Sequence, residues 1–178
     1  MAIERLGHEA WDEVARRCRL NDQHLITAEY FDDAVTFDVI AALADRMGVD
    51  VDAALEAFGR HWISYAGASA FARVMTMAGG DIETFIENLD RMHASIKSTM
   101  PLARMPHFAL VESTPERLEV LYDSERTGLG PFVRGILAAV AERFGERMEI
   151  TQQATAEGML FTMIRLGAPR AAQRTEAA

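Results

Sequence analysis

The chain has 178 residues, 49% of them apolar, and a formal charge of −9 from 18 Lys and Arg against 27 Asp and Glu. That length suits one domain with a real core, and the acidic balance excludes nucleic acid as the main partner, because no basic stripe exists to neutralise phosphates. No apolar run approaches a membrane span, residues 1–5 lack the apolar region of a signal peptide, and the single Cys18 rules out an internal disulfide or a multi-cysteine metal site, so a soluble cytoplasmic protein is expected.

Residues 7–18 put Ala10, Trp11, Val14, Ala15 and Cys18 on one helical stripe, with Cys18 as a small packed residue. Residues 19–32, including His24, Tyr30 and Phe31, read as a loop. Val35 to Met47 predicts a second helix, with Phe37, Ile40, Ala41, Leu43, Ala44 and Met47 inward and Gly48 at its end. Asp50 then caps a third helix whose buried face is Leu55, Phe58 and Trp62. Residues 66–78 are small and apolar and read as a further helix, with Phe71, Val74, Met75 and Met77 placed to pack on a flat ligand. Gly79-Gly80-Asp81 supplies a break and an N-cap, and one long helix is predicted from there toward Pro101. Its apolar positions are Ile82, Phe85, Ile86, Leu89, Met92 and Ile96, and His93 sits on that stripe, pointing inward.

After Pro106 the period becomes two. His107–Glu112 and Arg117–Ser124 are the predicted strands, joined by a turn over 113–116. Gly128 to Pro131 breaks the chain and opens a helix to Phe144, with Phe132, Val133, Ile136, Leu137 and Val140 inward and Gly145 as its stop. Two more strands, 147–153 and 159–166, are joined around 154–158. The tail from Gly167 is rich in Ala and Arg, has no apolar face, and is expected to be disordered. The fold class is α+β: a helical N-terminal half, and a C-terminal half with a small antiparallel β-sheet and a long helix.

If the second strand runs on, Tyr122, Ser124 and Arg126 share one face, so that two hydroxyls and a guanidinium converge as a clamp for carboxylate or phosphate. The bland alternatives are a satisfied core histidine and a polar strand face in which Arg126 pairs with an ordinary carboxylate. The remaining histidines, His8, His24, His61 and His107, read as surface or packing residues. Asp32-Asp33 and Glu83/Glu87 read as solvated faces, the methionines as core filler, and Gly79-Gly80 as a breaker rather than a phosphate loop. No Ser/His/Asp or Cys/His set marks an enzyme. An inward histidine together with an anion clamp suggests a haem, the imidazole on iron and the clamp on the two propionates.

The run Asn88-Leu-Asp-Arg-Met-His93, then Pro101, Pro106 and Phe108, then Tyr122-x-Ser124-x-Arg126, resembles the H-NOX family of haem nitric oxide/oxygen-binding domains, which includes the sensor domain of soluble guanylate cyclase. The resemblance implies haem b (iron protoporphyrin IX) between the two halves, His93 as the iron ligand, and Tyr122, Ser124 and Arg126 on the propionates. It also implies that Pro106 presses on the porphyrin, with residues 1–167 as the domain and 168–178 as a tail. Oxygen-binding members carry a distal tyrosine where this chain has Pro131, beside Phe132, and Tyr30 and Tyr65 lie outside that segment, so the resemblance is to the nitric-oxide-selective branch. Nitric oxide, with carbon monoxide as a further ligand, is the implied gas.

The implied mechanism is release of the His93 helix when nitric oxide weakens the iron–histidine bond. The readout falls to a separate effector, such as a histidine kinase or a cyclic-di-GMP enzyme. Members usually open with a further helix before the segment matching Arg5 to Glu13, and most of that stretch is expected to be missing here. The rival expectations are a haem-free interaction or regulatory module that keeps the fold, a haem enzyme and a haem carrier.

Overall fold

The change of period near Pro106 divides the fold. The computed structural model describes residues 2–20, 33–68, 72–99, 101 and 103–167. Before the divide lie α1 (Ala2–Arg17), α2 (Asp33–Met47), α3 (Val51–Ala68), α4 (Ala72–Met77), α5 (Ile82–Glu87) and α6 (Leu89–Thr99). After it come β1 (His107–Ser113), β2 (Arg117–Asp123), α7 (Gly130–Arg143), β3 (Met148–Ala154) and β4 (Met159–Arg165). The strands form one antiparallel sheet in the order β1-β2-β4-β3. This is the α+β architecture expected from the periods. His24, Tyr30, Phe31, Asp32, Phe71 and the 168–178 tail lie outside the described residues.

Local signals explain most boundaries. Asp50 Oδ1 accepts from the Ala53 N–H at 2.7 Å, and Asp81 Oδ1 from the Thr84 N–H at 2.8 Å, so both caps act as read. Gly48 ends α2 in the left-handed region (φ 67°), where Val49 N–H reaches the Ala44 carbonyl at 3.1 Å. α1 is broken at Gly7 (φ 82°, ψ 169°).

Three expectations about the helices need correction. α3 runs on to Ala68, so the helix expected over 66–78 is only 72–77. Trp62 is 40% exposed, because the inward face of α3 is Leu55, Gly59, Ile63 and Ala66, and Trp62 lies about 100° away from Ile63 around the helix. The long helix from Asp81 is two helices, α5 and α6, separated at Asn88. There the Asn88 side chain donates to the Ala78 carbonyl (3.0 Å) and the Thr84 carbonyl (2.9 Å), beside the backbone bonds from Asn88 N–H to Thr84 (3.1 Å) and from Met92 N–H to Asn88 (3.0 Å).

The main core lies between the inner face of the sheet and α5 and α7. Leu118, Val120, Tyr122, Phe161 and Met163 face Ile82, Phe85, Ile86, Val133, Leu137 and Val140. Each such side chain, fully buried, is worth about 1.5–3 kcal/mol. Smaller clusters join α2 to α3 (Ile40, Ala44, Ala54, Leu55) and α1 to α2 (Val14, Ala42, Leu43), and Cys18 packs half-buried on the latter. α3 and α7 approach closely, because a Cβ on Gly59 would strike the Phe132 carbonyl and one on Gly135 the Glu56 carbonyl. Arg165 ties the sheet to its surroundings. Its guanidinium reaches Glu146 (2.6 Å), Glu83, and the carbonyls of Thr114 (2.6 Å) and Pro115 (3.2 Å). Glu83 is therefore a structural partner rather than part of a solvated face. No helix among the described residues is long and apolar enough to cross a membrane.

Candidate functional site

His93 sits half-buried on α6, with Nδ1 3.2 Å from the Pro106 carbonyl. A carbonyl only accepts, so Nδ1 carries the proton and Nε2 keeps its lone pair for another partner. Burial holds the imidazole below the usual histidine range, against the opposing influence of the Pro106 hydrogen bond and the Asp90 charge. A neutral ring whose second nitrogen is oriented by a carbonyl is the form in which histidine binds metals.

Asp90, one turn before His93, ties the site together, and apolar periodicity gives no sign of it. Its Oδ1 accepts from the Phe108 N–H at 3.0 Å, and its Oδ2 pairs with His107 Nδ1. His107 is thus a partner of α6 and not only a surface residue. Residues 106–108 hold α6 through both Asp90 and His93. The i, i+3 spacing of a carboxylate and the inward histidine was the available signal.

β2 ends at Asp123, so Tyr122, Ser124 and Arg126 do not lie along one continuous strand face. The reason is local: Ser124 Oγ accepts from the Arg126 N–H at 3.1 Å, a side-chain turn that replaces the ladder. The three residues are nevertheless brought together. Ser124 and Arg126 both lie close enough to act on the Tyr122 phenol. Burial raises the Tyr122 phenol above its usual range, while Ser124 and Arg126 pull it down, which leaves a neutral donor at neutral pH. Arg126 is engaged by Asp33, whose Oδ1 accepts from Nε and Nη2 at 2.7 Å each. Asp33 had read as part of a solvated face. It lies 93 positions away, and no period could link the pair.

Phe108 joins the two halves of the site. Its ring centroid is 5.9 Å from His93 and 5.2 Å from Tyr122. Pro106 is half-buried at the His93 side. A neutral imidazole held at Nδ1, the apolar Leu89, Met92 and Phe108 of the adjoining core, and a hydroxyl–guanidinium group make a donor set that fits an iron porphyrin with two carboxylates. Met75 is buried, whereas Met77 is 82% exposed and points away from any core ligand. At the start of α7, Pro131 is buried, and Phe132 packs on Phe58 with centroids 5.2 Å apart. Trp62 and Tyr65 form an exposed ring pair 5.8 Å apart on α3. An open polar depression of about 350 Å³ lies around Asp50, Asp52, Glu56 and Arg134, and no site residue lines it.

Residues 1–152 match the family described as haem-NO-binding. Soluble guanylate cyclase 89Db of Drosophila melanogaster is 25% identical over 138 residues, 78% of this chain and 21% of that protein. The guanylate cyclase soluble subunit beta-2 of Rattus norvegicus is 32% identical over 94 residues, 53% of this chain and 14% of the relative. The chain thus spans about a fifth or less of the length of these cyclases. Among solved structures, the H-NOX protein of S. oneidensis in the Fe(II)NO ligation state superposes with a TM-score of 0.81 at 16% identity, covering 94% of each chain. The Fe(II) unliganded H-NOX protein of K. algicida gives 0.75 at 20% identity, covering 93% of this chain and 91% of that one. At these identities the structural matches show the shared fold.

Proposed function

The chain belongs to the haem-NO-binding family, and from that membership we propose that it is a haem b sensor of nitric oxide. In this reading His93 is the iron ligand, Tyr122, Ser124 and Arg126 hold the haem carboxylates, and Pro106 shapes the proximal face. The observation that carries it is the His93 ring: neutral, with Nδ1 fixed by the Pro106 carbonyl and Nε2 left to bind. The haem would supply a ferrous iron able to bind a diatomic gas.

The chain's own residues do the rest. Pro106 orients the imidazole, and Asp90 seats α6 on β1. Tyr122 and Ser124 offer hydroxyl donors, and Arg126 the charge that a carboxylate needs. Oxygen binding calls for a side-chain donor beside the gas. Pro131 and Phe132 supply none at the start of α7, which favours nitric oxide, with carbon monoxide tolerated. His93 and Asp90 tie α6 to residues 106–108, so a change at His93 would shift that helix, and this shift is the output. A separate effector, such as a histidine kinase or a cyclic-di-GMP enzyme, reads it in the cytoplasm. Residues 1–167 are the haem-binding domain in this reading.

The Arg126–Asp33 pair favours a second reading, a haem-free interaction module, because the clamp's cation already has an internal partner. One experiment separates the two. Absorption spectra of the haem-supplied, anaerobically reduced protein are recorded alone, with nitric oxide and in air. A five-coordinate ferrous spectrum that shifts with nitric oxide and ignores oxygen supports the sensor. A well-folded protein without a Soret band supports the module, and a stable oxygen complex overturns the selectivity.

A further inference from the structure

An antiparallel sheet with one face in the core turns mostly polar side chains outward. This sheet does so only in part. Its inner face carries Leu118, Val120, Tyr122, Phe161 and Met163. On the outer face the register sets Leu121 between Ala109 and Leu160, an apolar row across β1, β2 and β4. Val111, 53% exposed at the bulge in β1, and Ile164, 45% exposed on β4, extend the patch toward the β1–β2 turn.

The same face is acidic around this patch. Arg117 is engaged by Glu119 and, at 3.2 Å, by Glu112, so its charge is answered within the sheet. Asp123 at the end of β2 and Glu149 on β3 are exposed and occupy diagonally opposite corners. Asp123 lies six positions along β2 from Arg117, which pairs with Ile164, which in turn pairs with Glu149. At about 3.4 Å per residue and about 4.8 Å per strand, the diagonal is about 22 Å. That is the length of a helix of about 15 residues.

Charge and size decide what fits this face. A second copy is disfavoured, because the chain carries a net charge of −9 and would bring carboxylates against carboxylates. Residues 168–178 are a poor cover, because their apolar members are Ala and Pro, too small to match a row of leucines.

We propose that the outer face of the sheet is a docking surface for a basic amphipathic helix of a separate protein. The apolar ridge of that helix covers Leu121 and Leu160, and Lys or Arg toward its two ends meet Asp123 and Glu149. That the helix belongs to the effector of a gas signal rests on the sensor reading above. The docking claim does not, because the candidate site lies on the inner side of the sheet, with Phe108 and Tyr122.

NMR amide shifts of the full chain without haem test the claim. The probe is a synthetic peptide of about 18 residues, with Leu at i, i+3, i+4 and i+7 and Lys elsewhere. It is expected to shift the amides of Val111, Leu121, Leu160 and Ile164 and to spare Phe85 and Leu137. A peptide of the same composition with its Leu positions scrambled, and one with Glu in place of Lys, should each bind at least about tenfold more weakly. Leu121→Ser combined with Leu160→Ser should weaken the Lys peptide by at least about tenfold. If that variant does not fold, Asp123→Lys combined with Glu149→Lys, both at exposed positions, should give the same loss. Equal binding of the three peptides, shifts centred on the depression around Asp50 and Asp52, or no shift at about 1 mM peptide overturns the proposal. So does a dimer in analytical ultracentrifugation that Leu121→Ser dissolves, which gives the face to a second copy. Peptide binding at least about tenfold tighter in a chain ending at Gly167 gives it to residues 168–178 and overturns the proposal as well. These readings need no haem, whereas the sensor reading is judged by the Soret band, so the failure of one is told from the failure of the other.

Discussion

The close contact of α3 with α7 predicts a penalty where helix propensity predicts a gain. Gly59→Ala and Gly135→Ala each replace a poor helix former with the best one, which alone would stabilise by about 0.8–1.0 kcal/mol. Each new Cβ, however, would overlap backbone: Gly59 meets the Phe132 carbonyl and, at 2.9 Å, the Ile136 nitrogen, and Gly135 meets the Glu56 carbonyl. Backbone cannot rotate aside as a side chain does, so α3 and α7 must separate. Overpacking of this kind costs about 1–3 kcal/mol, and α3–α7 separation also loosens Phe58 against Phe132. The expected net loss is up to about 2 kcal/mol for each variant. The double variant should cost less than the two losses added, because a gap opened by one Cβ accommodates the other. Gly80→Ala is the control: nothing lies within 4 Å of its Cβ and its φ is not left-handed, so stability should be unchanged or higher by up to about 1 kcal/mol. Urea unfolding followed by circular dichroism reads all four. If Gly59→Ala and Gly135→Ala gain stability as the control does, the account of this crossing is wrong.

Arg126→Ala should cost the haem-free protein no more than about 1 kcal/mol, since both partners in its pair with Asp33 are 32% exposed. The same variant should lose about 1.5–3 kcal/mol of haem affinity, roughly ten- to a hundredfold, in a haem titration. Arg165→Met leaves Glu146, only 10% exposed, without its guanidinium, and should destabilise by about 3–5 kcal/mol in urea unfolding. Burial lowers the His93 pKa below its ordinary value of about 6.5, so below that pH the unfolded chain binds a proton that the folded one does not. The haem-free protein should therefore lose stability as pH falls from about 6.5 toward the folded pKa, with no contribution from this group above it, and His93→Gln should remove that part of the pH dependence.

What was legible in the chain follows from distance along it. Caps at Asp50 and Asp81 and the alternation of Leu118, Val120 and Tyr122 are local rules, and the fold obeys them. Trp62 was misplaced because a helix face is wide, and one step of 100° turns a core position into a half-exposed one. The break at Asn88 was hidden because the apolar stripe runs through it unbroken, and no spacing shows that the Asn88 side chain folds back on Ala78 and Thr84. Least legible were the charges. Asp33 reaches Arg126 across 93 positions and Glu83 reaches Arg165 across 82, and no spacing rule links either pair. At the candidate site, the histidine and the three clamp residues could be read in advance. His107 and Asp33 emerge as partners only once the chain is folded, whereas Asp90 could have been found from its i, i+3 spacing to His93.

The central claim is that His93 is the iron ligand. Its most direct test is His93→Gly expressed with haem, reduced without oxygen, and titrated with free imidazole. The account predicts that the variant lacks the five-coordinate ferrous spectrum of the wild type and recovers it as imidazole fills the vacated position. A wild-type spectrum in His93→Gly without imidazole would contradict it and place the ligand elsewhere in the chain.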